Sequence, residues 1–91
     1  LVAVTPRTKI VIVCTPNNPT GNVLDEAAVE RICMESPCLV VIDEAYAEFA
    51  GRSHISLMER YPNVVVGRTM SKFAGLAGMR VGYGLFPKAL L

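Results

Sequence analysis

Lys72 follows Ser71 and stands eight residues before Arg80; upstream lie Asn17-Asn18-Pro19-Thr20-Gly21 and Asp43-Glu44-Ala45-Tyr46. A partly deprotonated lysine amine condenses with an aldehyde to form a Schiff base, and burial promotes that state. Met70, Phe73, Ala74 and Leu76 surround Lys72 in the sequence, so a desolvated amine is expected. Asp43 closes an apolar run, where a carboxylate is costly unless it meets a cation. A protonated ring nitrogen at about 3 Å would supply one. At an effective dielectric near 20 the gross attraction is roughly 5 kcal/mol, worth about four pKa units. Tyr46 lies one turn beyond Asp43, and Pro19 biases the backbone that aims the Asn18 amide. Both could donate to an anionic oxygen and favour its charged form. Arg80 offers a fork suited to phosphate, and the Ser71 hydroxyl would add a short bond.

Taken singly, each of these residues has a commoner fate. Most lysines and arginines are solvated, a strand-end aspartate often bonds its own turn, and a half-buried tyrosine often turns its hydroxyl to water. Taken together, an amine, a carboxylate, two oxygen-directed donors and a phosphate fork are the contact set of pyridoxal phosphate. Arg68 is assigned no role. His54, in a polar loop with Arg52 and Ser53, is expected to be solvated, and Glu44 and Glu48 have no acid partner at a spacing that suggests two-carboxylate chemistry.

These side chains need elements to hold them. Ile10-Val11-Ile12-Val13, Leu39-Val40-Val41-Ile42 and Val64-Val65-Val66 are continuous and β-branched, as in strands buried on both faces. Between the first two, Ala28, Val29, Ile32 and Cys33 recur at helical spacing; Asp25 is a candidate N-cap and Ser36-Pro37 a stop. Strand, helix, strand at this length predicts a parallel pair. A short helix is expected around Ile55–Arg60. From Val66 to Val81 there is little room for a crossover helix, so the last strand, Val81–Leu85, should run antiparallel. Asn18, Asp43 and Lys72 then all fall at or beyond the ends of buried strands, where open α/β sheets bind ligands. The glycines at 75, 78, 82 and 84 precede no evident helix and form no dinucleotide-binding fingerprint.

The composition narrows the class of partner. Net charge is +1 and the nine basic residues are scattered, which excludes a basic nucleic-acid stripe. The longest apolar runs fall far short of a membrane span. Cys14, Cys33 and Cys38 are odd in number and lack metal-type pairing, as expected of reduced thiols in the cytoplasm. A 52% hydrophobic content is high for a 91-residue chain, which leads us to expect a slice of a larger core.

Thr15-Pro16-Asn17-Asn18-Pro19-Thr20-Gly21, Val41-Ile42-Asp43-Glu44-Ala45-Tyr46 and the run from Arg68 to Tyr83 together resemble the fold-type-I pyridoxal-phosphate aminotransferases, with the histidinol-phosphate aminotransferase group the best match. The resemblance spans the whole chain. It implies an α/β, three-layer fold with a mostly parallel sheet, in spatial order last, third, second, first strand. Residues 1–91 would form a central part of the cofactor-binding large domain. Catalytic roles are implied for Lys72, Asp43 and Tyr46. Lys72 would link to pyridoxal 5'-phosphate and shuttle a proton, Asp43 would pair with the pyridine nitrogen, Asn18 and Tyr46 would bond the phenolic oxygen, and Ser71 and Arg80 would hold the phosphate. The implied reaction exchanges an amino group between histidinol phosphate and 2-oxoglutarate in a full-length homodimer. An aromatic aminotransferase or a threonine-phosphate decarboxylase would read almost identically over these motifs. A catalytically inert piece is the further alternative. The family's ring-stacking aromatic, its phosphate loop and its small C-terminal domain have no counterpart in these residues.

Overall fold

A computed structural model describes residues 1–91. Strands β1 (Ile10–Cys14), β2 (Leu39–Asp43), β3 (Val64–Thr69) and β4 (Gly82–Leu85) form one sheet in the order β1-β2-β3-β4. The first three are parallel, with Ile10 opposite Leu39 and Val40 opposite Val64. β4 runs antiparallel to β3, pairing Thr69 with Gly82, as the short connection requires.

Helix α1 (Glu26–Glu35) connects β1 to β2, and α2 (Ala47–Ala50) and α3 (Ile55–Arg60) connect β2 to β3. Asp25 occupies the N-cap position of α1 with an extended backbone, but its side chain makes no cap hydrogen bond. At the other end, the Asn63 side-chain amide donates to the carbonyls of Cys33, Ser36 and Cys38. The Cys33 and Ser36 oxygens are otherwise orphans of a helix end, so Asn63 ties the end of α1 and the approach to β2 to the start of β3. α2 is a single turn that the sequence periodicity does not announce. It ends on Gly51, whose positive φ of 65° a glycine adopts without a Cβ clash.

The core joins Val13, Val40, Ile42, Val64 and Val66 from the strands to Val29 and Cys33 of α1 and Leu57 of α3. These strand positions share one parity, hence one face. Both crossovers must be right-handed and the strand order is monotonic, so both helices land on that face. The expectation of strands buried on both sides holds at β3, where Val65 on the opposite face is 5% exposed, and is corrected at β1, where Ile12 on that face is 69% exposed. The chain contains two of the three layers. Burial pushes the Cys33 thiol up, with the Glu30 charge adding to it, so Cys33 packs as a neutral apolar group. No helix is long and apolar enough to cross a membrane.

Candidate functional site

The loop after β1 is built on two proline bonds, Thr15–Pro16 and Asn18–Pro19, both cis. Asn17 closes it: its backbone bonds Asn22 and Gly21, and its amide donates to Thr20 Oγ1 at 2.8 Å. Gly21 makes the return at φ 72°, a conformation that would strain any side chain. The buried Thr15 hydroxyl accepts the Leu24 N–H, and its backbone N–H donates to Asp43. This loop therefore hangs from the end of β2. Between it and α2 lies a cleft of about 350 Å³, lined by Pro16, Asn18, Val23, Tyr46, Phe49 and neighbours. Of the expected contact set, Asn18 and Tyr46 meet in this cleft.

Asp43 ends β2, partly buried. Its Oδ1 accepts the Ala45 N–H at 3.0 Å, the local turn bond common for such residues, while Oδ2 has no hydrogen bond within the chain. Tyr46 follows at the head of α2 with its ring 5.6 Å from Lys72 Nζ, a cation–π distance. The Lys72 amine thus reaches over toward the β2 side of the rim. It forms no ion pair with any carboxylate. A desolvated amine is not what the structure shows: Lys72 is exposed, because its apolar neighbours are themselves uncovered, Phe73 at 65% and Leu76 also exposed. Phe73 meets Phe49 edge to face at 6.3 Å, extending an aromatic row from Tyr46 that sequence spacing does not reveal.

Ser71 and Arg80 lie beyond the β3–β4 pairing. The pairing ends at Thr69 opposite Gly82, with the Met70 N–H still donating to the Val81 carbonyl, so Ser71 and Arg80 are the next residues out along the two segments. Between them the chain turns through Gly75, at φ 66°, and a short 3-10 turn, Ala77–Met79. Arg80 adopts φ 53°, a left-handed conformation costing a non-glycine residue roughly 1 kcal/mol. One guanidinium nitrogen donates to the Ala77 carbonyl, and the exposed group has no carboxylate partner. Neither Ser71 nor Arg80 reaches the cleft of Asn18 and Tyr46.

Three residues set aside in the sequence prove central to the interior beneath this rim. Glu44 is 0% exposed. Its Oε2 receives both Nε and Nη2 of Arg68 at 2.8 Å. Its Oε1 accepts the His54 backbone N–H and faces His54 Nδ1 at 3.3 Å. The Ser53 hydroxyl reaches both oxygens, and Arg68 Nη1 donates to Glu48 Oε1 at 2.9 Å. His54, expected in solvent, is only 3% exposed, because the loop folds in to donate to Glu44. Burial alone would lower the Arg68 pKa, but the Glu44 charge and the bonds to Glu48 and Glu44 outweigh it and raise the value. Arg68 therefore stays charged. An acid directly after an apolar strand and an arginine inside the next one were the available signals, but neither spacing nor type joins residues 24 apart.

Comparison with known proteins places this geometry in context. The sequence profile of the aminotransferase class I and II family matches residues 2–91. The chain is 54% identical over 90 residues to a histidinol-phosphate aminotransferase of Methanosarcina mazei, covering 99% of this chain and 24% of that protein. Among solved structures it resembles the histidinol-phosphate aminotransferase of Sinorhizobium meliloti in complex with pyridoxal-5'-phosphate. There the TM-score is 0.74 at 36% identity, over 85% of this chain and 22% of that one. It also resembles the L-threonine-O-3-phosphate decarboxylase of Porphyromonas gingivalis, with TM-score 0.80 at 26% identity, over 92% of this chain and 27% of the other. The chain thus spans about a quarter of the length of the curated relatives it matches.

Proposed function

Because the chain belongs to the aminotransferase class I and II family, we propose that the protein carrying these residues is a pyridoxal-phosphate-dependent aminotransferase and that residues 1–91 are a central part of its large domain. The amino donor is histidinol phosphate, the compound in the name of its 54%-identical relative, and the acceptor is 2-oxoglutarate. We assign the working enzyme to a cytoplasmic homodimer.

One observation carries the site assignment. Asp43, Lys72 and Arg80 stand at the ends of neighbouring strands, and none has an ionic partner within the chain. Their free groups fit the cofactor: an unbonded carboxylate oxygen, an unpaired amine and a guanidinium with donors to spare. When bound, pyridoxal phosphate supplies an aldehyde that condenses with amines and an electron-poor ring that draws charge from the substrate carbon. Lys72 holds that aldehyde and afterwards carries the proton to and from the substrate carbon. The Asp43 carboxylate accepts from the ring nitrogen and keeps its proton in place. Tyr46 and Asn18 donate to the phenolic oxygen, supported by the cleft they share. Ser71 and Arg80 bind the phosphate, supported by their places just beyond the shared end of β3 and β4.

Borohydride treatment of the full-length protein, followed by peptide mapping, tests the assignment; the reduced cofactor is expected on Lys72, and its recovery on another lysine would sink it. A substrate panel scored by kcat/KM decides the reaction. The fold similarity to a threonine-phosphate decarboxylase favours a second reading, which carbon dioxide release from threonine phosphate would establish. Preference for an aromatic amino acid would point to the third. The isolated 91 residues are expected to transaminate no faster than free pyridoxal phosphate.

A further inference from the structure

The ion pair beneath the rim is costly to build and closely tied to the site. A fully buried carboxylate loses its hydration, and such pairs seldom outdo a well-packed apolar substitute in stability alone. What they supply is direction. Arg68 brings both Nε and Nη2 to within 2.8 Å of one Glu44 oxygen, Oε2, while Ser53 and His54 hold the other, which fixes the distance between the two groups and leaves the carboxylate little freedom to turn. The backbone repeats the tie, with the Glu44 N–H donating to the Gly67 carbonyl at 3.0 Å. Ser53 and His54 complete the acceptor capacity of Glu44, and Glu48 occupies the remaining arm of Arg68. The brace therefore joins the end of β2 to β3 at one defined register. Glu44 is the residue after Asp43, and Arg68 stands four before Lys72.

We propose that Glu44 and Arg68 are positioning residues for the amino-transfer reaction: their buried pair, seated by Ser53 and His54, holds the Asp43 carboxylate and the Lys72 amine in mutual register. This rests on the assignment of Asp43 and Lys72 made above. Neither Glu44 nor Arg68 touches the cofactor. Their effect passes through the strand ends, where a misplacement of about 1 Å can lower the rate a hundredfold.

The test uses the full-length holoenzyme. Arg68→Lys keeps the charge but removes the planar fork. Expected are a kcat lower by about tenfold or more with KM nearly unchanged, and a shift of about half a unit in the pH at which bound-cofactor absorbance changes. The melting temperature of the cofactor-free form reports whether the variant is folded. Ser53→Ala removes one hydroxyl from the brace, at a residue that is itself exposed, and serves as the variant expected to fold in any case. Its kcat and absorbance midpoint should shift in the same direction by less. Wild-type kcat and absorbance midpoint in Ser53→Ala and in folded Arg68→Lys would overturn the proposal. So would a loss in kcat only proportional to unfolded protein. Borohydride mapping of the wild-type enzyme separates the two levels: an adduct away from Lys72 defeats the site assignment, whereas an adduct on Lys72 with indifferent variants defeats only the brace.

Discussion

Asp43 and Glu44 are consecutive carboxylates with opposite circumstances. Glu44 is sealed in the interior, and both its oxygens are saturated by Arg68, Ser53 and His54. Asp43, one residue earlier, uses one oxygen in a local turn and leaves the other free at the rim. The basic residues divide in the same way: Arg68 is paired twice, while Lys72 and Arg80 have no acidic partner. A strand alternates its side chains between faces, so adjacent residues can serve different ends. The contrast separates charge satisfied by folding from charge left unpaired at the rim.

The contrast can be broken by substitution in the full-length enzyme. The largest effect is expected for Lys72→Ala, which should abolish the borohydride-trapped adduct and amino transfer while leaving the fold intact by circular dichroism. Next is Glu44→Ala, which takes the fully buried partner from Arg68 and leaves its charge with Glu48 alone. Breaking a buried pair from one side costs about 3–5 kcal/mol, to be seen as a reduced urea midpoint. Asp43→Asn should do the reverse. The amide oxygen can still accept the Ala45 N–H, so stability should stay within about 0.5 kcal/mol of wild type. The rate, however, should fall on the order of a hundredfold or more as the charge on the ring nitrogen is lost. Equal stability losses for Asp43→Asn and Glu44→Ala would erase the distinction between the two carboxylates.

The smallest effect sharpens the comparison at the phosphate end. Arg80→Gly removes a fork that contributes roughly 1.5–3 kcal/mol to an anion but relieves a left-handed backbone. Cofactor affinity measured by titration of the stripped enzyme should drop roughly ten- to a hundredfold. The melting temperature of the stripped enzyme should hold or rise. A fall in both would mean that Arg80 supports the loop through its bond to the Ala77 carbonyl instead.

Much of this was legible in the amino acids. The β-branched runs placed β1, β2 and β3, the helical spacing of Ala28, Val29, Ile32 and Cys33 placed α1, and the short path from Val66 to Val81 required an antiparallel β4. Those signals are local, since strand and helix periods and minimum connection lengths act over a few residues. The rim residues proposed above were singled out for a different reason: an amine, a carboxylate and a guanidinium in family order are chemically distinctive wherever they sit.

What only the tertiary structure decided is which charges meet and what water reaches. The pairing of Glu44 with Arg68 joins residues 24 apart, and the burial of His54 follows from a bond to a residue ten earlier. Lys72 is exposed despite apolar neighbours because nothing in these residues packs over them, and Ile12 is exposed because both right-handed crossovers chose the other face. Sequence determined the elements and the chemistry available at their ends, since both depend on near neighbours and residue type. Burial and pairing depend on what the fold brings from a distance, and no local pattern encodes that.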